Sequence, residues 1–264
     1  MKHFILILCI LMIMSGCTHG SVATKSDSIK SEEYYETLSS KAIGWGFRRT
    51  QEGPEFTEDQ IRQMREYDCI YREDTDEKSI FLTFDEGYEN GYTSVILDTL
   101  REKDVKAAFF VTGQYVKENP EIIKRMAEEG HIIGNHTLNH PSLPEIRDTE
   151  KLKDELYELD RLIYGICGEK AVFLRPPKGE YSERTLAMTR DMGYTNVFWS
   201  QAYVDWNDNV SSDEAFRKIT SDIHPGCVLL LQAVSKGNAD SLGNVIDYVR
   251  KEGYTFKSLK EYKN

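Results

Sequence analysis

Cysteine is scarce in this sequence, and its spacing excludes two of the roles that cysteines perform together. The 264 residues contain 5 cysteines, at positions 9, 17, 69, 167 and 227, and no two of them form a C-x-x-C pair. A disulfide framework and a cysteine-based zinc motif are therefore both excluded. Cys167 and Cys227 lie among apolar residues, which is typical of small core side chains rather than of metal ligands.

Basic clusters and long apolar runs are also missing. The formal net charge of −11 argues against nucleic acid as a partner, because proteins bind DNA or RNA through a basic face. The apolar run from Phe4 to Met14 is shorter than the about 20 residues that a membrane-spanning helix needs. A hydrophobic content of 40% nevertheless provides a substantial core for a folded domain.

The apolar run near the start of the sequence predicts export. Lys2 precedes it, and Ser15, Gly16 and Cys17 follow it. A positive charge, a short apolar run and small residues form a secretory signal, and Cys17 resembles the acylated cysteine of a bacterial lipobox. We therefore expect a lipoprotein anchored to the outside of the cell membrane, with a secreted protein as the alternative. The predicted organisation is signal and lipobox at 1–17, flexible tether at 18–33, N-terminal extension at 34–77 and main domain at 78–264.

From Lys78 onwards, predicted strands and helices alternate. The patterns of apolar residues predict strands at 79–84, 107–112, 131–134, 172–174, 195–200, 227–231 and 254–258. Helices fit between them, and Thr149, Ser182 and Ser211 are predicted N-caps of three of these helices. Repeated strand–helix units imply parallel strands, in a barrel or an open sheet.

Polar residues follow five of these strands at the points where the strands end. They are Asp85-Glu86, His136 to His140, Arg175 to Gly179, Asp205-Trp206 and Gln232. In parallel α/β folds the carboxyl ends of the strands meet at one rim, where reactive groups collect. Neighbouring residues of a strand point to opposite faces, so Asp85 and Glu86 need not have the same role.

The spacing of two histidines predicts a metal site at this rim. His136 and His140 are four residues apart, which in a helical turn places both imidazoles on one side, within reach of one cation. Two histidines and a carboxylate leave coordination positions open, as in catalytic zinc sites. An isolated pair with this spacing is more often a pair of surface-loop histidines, and only the nearby carboxylates favour the metal.

Five short segments, taken in order, carry a resemblance to a known family. The segments TFDEG at 83–87, HTLNH at 136–140, RPPKG at 175–179, DW at 205–206 and LLLQ at 229–232 resemble the motifs of the polysaccharide deacetylase family (the NodB homology domain, carbohydrate esterase family 4). The resemblance implies an α/β fold, a distorted (β/α) barrel of about seven parallel strands preceded by an N-terminal extension. It also implies metal-dependent removal of acetyl groups from N-acetylated sugars, with zinc as the expected ion and cobalt or manganese as alternatives.

The resemblance also suggests a substrate. GWGF at 44–47 and the surroundings of the five motifs look most like the muramic acid (δ-lactam-biosynthetic) deacetylases of spore-forming bacteria. The expected partner is then a peptidoglycan glycan strand, with N-acetylmuramic acid of the spore cortex as the deacetylated sugar.

Roles for individual residues follow from the same resemblance. Asp85 matches the general base, Arg175 the arginine that holds this base through a bidentate pair, and Asp205 the aspartate that tunes the general acid. The expected metal ligands are His136, His140 and Glu86. The expected substrate-binding residues are Trp206, Pro177 and Tyr88, with packing in the core as the alternative for Trp206.

Two positions depart from the family pattern. Glu86 stands where the family has a metal-binding aspartate, and Gln232 stands where it has the general-acid histidine. An amide cannot protonate a leaving amine near neutral pH. The alternatives are therefore a catalytically weak or inactive glycan-binding lipoprotein, and an esterase that uses the same residues on acetylated glycans. His224 precedes the strand that Gln232 ends, so we do not expect it to substitute.

Overall fold

A curled sheet of parallel strands forms the centre of the protein. The structure is a computed structural model that describes residues 29–51, 53–206 and 210–263. The strands, in chain order, are β1 (Ile43–Gly44), β2 (Arg48–Thr50), β3 (Gly53–Glu55), β4 (Ser79–Glu86), β5 (Ala108–Val111), β6 (Ile132–Asn135), β7 (Phe173–Leu174), β8 (Glu180–Tyr181), β9 (Thr195–Asn196), β10 (Cys227–Gln232) and β11 (Thr255–Phe256). The helices are α1 (Glu32–Glu36), α2 (Glu58–Glu66), α3 (Thr93–Glu102), α4 (Gly113–Glu118), α5 (Pro120–Glu128), α6 (Thr149–Cys167), α7 (Glu183–Asp191), α8 (Ser212–Thr220) and α9 (Lys236–Lys251).

Seven strands make up the main sheet, and all of its pairings are parallel. The strand order is β10-β4-β5-β6-β7-β9, and β11 pairs with the start of β4. A bridge between Gln201 and Leu229 joins the segment after β9 to β10, so the sheet curls back towards its first edge. The predicted distorted barrel is therefore confirmed, and each of the seven predicted strands is present. The strand predicted at 195–200 is only two residues long.

The central strand β4 carries the predicted carboxylates to the rim. All eight of its residues are buried, as is usual for a parallel strand covered on both faces. The ring of Phe84 stacks on that of Phe109 in β5, with 5.1 Å between the centroids. Asp85 and Glu86 are the last residues of β4, so this packed strand fixes the position of both.

The longest helix begins one residue earlier than the sequence indicates. We predicted Thr149 as its N-cap, but Thr149 is the first helical residue, and the carboxylate of Asp148 accepts the N–H groups of Glu150 and Lys151 at 2.9 and 3.2 Å. Aspartate and threonine are both good caps, and the extended backbone of Asp148 allows only this residue to serve as one here. Ser182 and Ser211 cap α7 and α8 as predicted.

The N-terminal extension packs against the sheet domain through aromatic side chains. Its strand β1 pairs antiparallel with β8. Trp45, which is 8% exposed, lies 4.8 Å from Phe198 and 5.2 Å from Phe56 between ring centroids. These rings form a second hydrophobic cluster beside the main core.

The cysteines within the described residues are unpaired. Cys69, Cys167 and Cys227 form no disulfide, which confirms that the fold has no disulfide framework in this part of the chain. Burial raises the pKa of the Cys69 thiol and raises the pKa of Cys227 to about 12. The two buried thiols are therefore protonated at neutral pH and chemically inert.

The predicted signal and lipobox, with Cys17, lie outside the described residues, as does most of the tether. Among the helices between residues 29 and 263 that the structure describes, none is both long enough and apolar enough to cross a bilayer.

Candidate active site

An open pocket of about 890 Å³ lies at the carboxyl ends of the central strands. It brings Asp85, His136, His140 and Gln232 together, although they come from three separate parts of the chain. The other lining residues are Gly87, Tyr88, Thr112, Gln114, Lys117, Glu118, Leu138, Asn139, Lys178, Gly179, Trp199, Trp206 and Leu230.

Arg175 holds Asp85 in place beneath this pocket. Its Nη1 donates to Asp85 Oδ1 at 2.8 Å, and its Nη2 donates to Thr83 Oγ1 at 2.9 Å. The predicted bidentate pair is therefore wrong, because the second guanidinium nitrogen is directed to the threonine. Arg175 is fully buried and stacks over the ring of Phe110, with Cζ 4.2 Å from the centroid. Asp85 Oδ2 is left to face the pocket.

The two histidines meet on a loop rather than on a helical turn. His136 follows β6, and the backbone of Thr137 and His140 adopts positive φ angles of 68° and 57°. The predicted helical turn is therefore wrong, since these left-handed residues fold the loop back on itself. The imidazole centroids are nevertheless 4.8 Å apart, and His136 Nε2 lies 3.7 Å from Asp85 Oδ2.

Both imidazoles are suited to bind a metal ion. The carbonyl oxygen of Arg175 lies 2.7 Å from His136 Nδ1. Because a carbonyl only accepts, Nδ1 carries the proton and Nε2 keeps its lone pair, which is how proteins orient metal-binding histidines. Burial lowers the pKa of His136, and burial together with the neighbouring His136 lowers that of His140 to about 4. Both rings are therefore neutral near pH 7, as metal ligation requires.

Glu86 is not brought to the histidines. Alternation along β4 turns its side chain away from Asp85, and its carboxyl group accepts a hydrogen bond from Thr93 Oγ1 in α3 at 3.4 Å. Burial raises the pKa of Glu86 well above its usual range, and the charge of Glu89 adds to the shift. Within the described residues, no three His, Cys, Asp or Glu side chains converge as a metal ligand set. The placement of Glu86 therefore contradicts its predicted role as third ligand.

We expect loss of His140 to weaken metal binding far more than loss of Glu86. Replacing His140 with Ala removes one of the two imidazoles, so zinc affinity should fall by more than about tenfold. The matched variant Glu86→Gln keeps the size of a carboxyl group that faces α3, and zinc affinity should stay near that of the wild type. Calorimetric zinc titration measures both. Equal losses would make Glu86 a full ligand and contradict its placement.

The end of β10 is held by Asp205 but provides no acid. Asp205 Oδ2 accepts the backbone N–H of Gln232 at 2.8 Å and Asn238 Nδ2 at 2.6 Å. Burial raises the pKa of Asp205 to about 7. Gln232 itself lines the pocket. His224 lies before β10, where its Nε2 contacts Ser200 Oγ at 2.8 Å, so a whole strand separates it from Gln232.

The three predicted substrate-binding residues differ in their placement. Trp206 and Tyr88 line the pocket and are 58% and 51% exposed, so the alternative of core packing for Trp206 is wrong. Pro177 is buried and does not line the pocket, because the chain turns there and presents the next two residues, Lys178 and Gly179.

Lys178 is a pocket residue that the sequence analysis missed. It lies within RPPKG, but the motif drew attention to its arginine and prolines. Its φ of 59° places it in the left-handed region, and its charge contributes to lowering the pKa of His140. No signal in the sequence singles it out, because its left-handed backbone and its place in the pocket are properties of the folded chain.

Known proteins are similar to this chain in sequence and in fold. The family model for polysaccharide deacetylases matches residues 72–197. The peptidoglycan-N-acetylmuramic acid deacetylase PdaA of Bacillus subtilis is 42% identical over 231 residues, which cover 86% of this chain and 88% of that protein. The chain belongs to the polysaccharide deacetylase family.

Solved structures agree with this assignment. The structure of PdaA, described as a family 4 carbohydrate esterase, superposes with a TM-score of 0.82 over 85% of this chain and 98% of that chain. A family 4 carbohydrate esterase from Bacillus anthracis, also 42% identical, superposes with a TM-score of 0.74 over 85% of this chain and 97% of that chain. A peptidoglycan-N-acetylglucosamine deacetylase of Bacillus cereus is 34% identical over 184 residues, 68% of this chain and 66% of that protein. The protein is thus a polysaccharide deacetylase, a hydrolase of amide bonds.

Proposed function

We propose that the protein is a metal-dependent N-deacetylase that acts on the N-acetylmuramic acid residues of spore cortex peptidoglycan. The observation that carries the proposal is Asp85, held by a buried arginine and facing two neutral histidines in an open pocket. A module that only binds glycans has no need for a carboxylate held in this way. The geometry therefore favours an enzyme over the binding alternative.

His136 and His140 would hold a divalent ion. When bound, such an ion would supply polarisation of the acetamide carbonyl and a lower pKa for the attacking water. Asp85 Oδ2 faces His136 and can accept a proton from that water, while Arg175 fixes the orientation of the carboxylate.

The leaving amine must then receive a proton. The amide of Gln232 can donate a hydrogen bond in the pocket but has no ionisable proton near neutral pH. Asp85, which is protonated after the attack, or solvent returns the proton instead. Loss of a positioned acid typically costs about 10² to 10⁴ in rate, so we expect slow turnover.

Lys178 supports muramic acid as the sugar. This sugar carries a lactyl group beside its acetamido group, and the lactyl carboxylate is free once the peptide has been removed. Lys178 and His140 line the same pocket, and the side chain of Lys178 makes no ion pair within the described residues. A cation there matches an anionic group next to the reacting acetamide. The amine set free can later condense with that carboxylate to a muramic δ-lactam.

Of the two relatives named for a peptidoglycan sugar above, the one with the higher sequence identity supports muramic acid. PdaA is named as a peptidoglycan-N-acetylmuramic acid deacetylase. Acetate release from peptidoglycan without peptide side chains, with and without added zinc or cobalt, tests the proposal. Metal-stimulated release supports it, whereas its absence on metal-loaded, folded protein would favour the binding alternative.

Replacing Lys178 by Gln should impair binding of the anionic sugar. A hydrogen bond to a charged group contributes about 1.5 to 3 kcal/mol, so we expect KM to rise about tenfold or more with little change in kcat. Lys117→Gln removes the same charge from another part of the pocket wall and should have a smaller effect. Steady-state kinetics on glycan without peptides measure both. An equal rise in KM from the two variants would argue against a specific role for Lys178.

The second part of the proposal is a lipid anchor at Cys17. It is supported by the apolar run and by the Ser-Gly-Cys sequence at its end. The diacylglyceryl group of a lipobox cysteine has two chains, which bind a membrane firmly. The protein should therefore fractionate with membranes, and Cys17→Ala should release it or block its processing. Wild-type protein found wholly in the soluble fraction outside the cell would contradict the anchor.

A further inference from the structure

The loop that carries Lys178 is held by a segment from the N-terminal extension. We call residues 43–46 the N-terminal strap. The backbone N–H of Trp45 donates to the carbonyl of Gly179 at 2.8 Å, and its indole Nε1–H donates to the carbonyl of Trp199 at 2.8 Å. The pairing of β1 with β8 continues the contact one residue beyond this loop. The family model begins only at residue 72, so the strap lies outside the matched family core.

Gly179, the last residue of the loop, packs closely against Trp45 and Trp199. A Cβ added to Gly179 would lie 3.1 Å from the Cβ of Trp45 and 2.8 Å from the ring of Trp199. Gly179 also has a φ of 67°, a backbone angle that residues other than glycine rarely adopt. Gly179 thus packs between Trp45 and Trp199, and this contact leaves no space for a side chain at position 179.

Through this contact, the strap influences the backbone conformation at Lys178. A left-handed backbone at a residue other than glycine is strained, and it persists only where its surroundings impose it. Within the described residues, the side chain of Lys178 makes no hydrogen bond or ion pair that could hold it. Its direction is therefore set by the backbone of the loop, and hence by the strap.

We propose that Trp45 is a positioning residue that, through the Pro177–Gly179 loop, aims Lys178 at an anionic substituent of the bound sugar. This inference rests on the proposed function. Trp45 is not itself a lining residue of the pocket that holds Asp85 and the histidines, and it reaches the pocket wall only through Gly179 and Trp199. We therefore expect it to act on recognition of the anion rather than on the chemical step.

The expected kinetic signature is a loss of discrimination between two substrates. Trp45→Leu should raise KM on glycan with free lactyl carboxylates about three- to tenfold, less than Lys178→Gln, and leave kcat nearly unchanged. On neutral oligomers of N-acetylglucosamine, KM should not change. Trp45→Phe keeps a ring in the aromatic cluster and loses only the indole hydrogen bond, so its effect should be intermediate.

A double-mutant cycle separates positioning from a general loss of structure. If Trp45 acts through Lys178, adding Trp45→Leu to Lys178→Gln should change KM no further. Phe109→Leu, in the core of the sheet, is the control that lowers stability and should leave the ratio of the two substrates unchanged. Equal losses on both substrates, or effects that add in the double variant, would overturn the inference.

Hydrogen exchange tests the inference without any substrate. The amides of residues 178–181 should exchange faster in Trp45→Leu than in the wild type, and unchanged exchange would overturn the inference. A wild-type enzyme with no preference for the anionic glycan would overturn the proposed substrate instead. The exchange result would then decide whether the strap positions Lys178.

Discussion

Replacement of Asp85 by Asn should abolish deacetylation while leaving the protein folded. The amide oxygen of Asn can still accept the hydrogen bond from Arg175 Nη1, which reaches Asp85 Oδ1 at 2.8 Å in the wild type. The group that takes a proton from water is lost, so we expect kcat/KM to fall by about 10² to 10⁴. Gln232 cannot take over this role, because an amide does not accept a proton near neutral pH.

Two measurements make this result interpretable. Thermal unfolding of Asp85→Asn detects any cost of leaving the buried Arg175 without a full counter-charge, which for a broken buried pair is about 3 to 5 kcal/mol. Glu86→Gln is the matched control, since it removes the neighbouring carboxyl group on the opposite face of β4. We expect it to keep the wild-type kcat. Comparable losses from both variants would contradict the assignment of Asp85 as the base.

The second large effect is a gain in rate from Gln232→His. The substitution restores an ionisable group at the position where the leaving amine must be protonated, so kcat should rise by up to about 10². The carboxylate of Asp205 already binds the backbone of Gln232 at 2.8 Å and should raise the basicity of the new imidazole. The gain should appear in kcat rather than in KM, because the proton moves in the transition state.

The pH profile distinguishes this gain from a mere change of shape. With an imidazole as the acid, the rate should fall as pH rises through the imidazole pKa, a limb that wild type lacks. Gln232→Asn, which keeps an amide, should show neither the gain nor the new limb. Adding Asp85→Asn should abolish activity in the Gln232→His background. A Gln232→His protein that is folded, metal-loaded and still inactive on a verified muramic acid substrate would favour the glycan-binding alternative.

The central strand and its neighbours could be predicted because they follow local patterns. The buried run Ile80 to Phe84 and the cap at Ser182 are encoded within a few residues, and both are present in the structure. The same holds for the gathering of Asp85, His136 and Gln232, which follows from the rule that parallel strands end at one rim.

What the sequence did not predict depends on contacts between distant segments. The loop from His136 to His140 folds through two left-handed residues, and no local pattern distinguishes it from a helical turn. Alternation along β4 separates Glu86 from Asp85, whereas the family pattern alone predicts a metal ligand at position 86. Lys178 lies on a loop whose next residue, Gly179, accepts a hydrogen bond from Trp45, more than 100 residues earlier in the chain.

The unpaired thiols determine whether folding of the domain depends on the redox potential of its surroundings. Cys69 and Cys227 are inert core side chains, and no covalent cross-link contributes to the part of the chain that the structure describes. Its stability therefore comes from packing and hydrogen bonds, which are independent of the redox potential of the surroundings. The same folded domain is compatible with the reducing interior of a cell and with an oxidising exterior. Folding of the described part of the chain therefore depends on no disulfide among Cys69, Cys167 and Cys227.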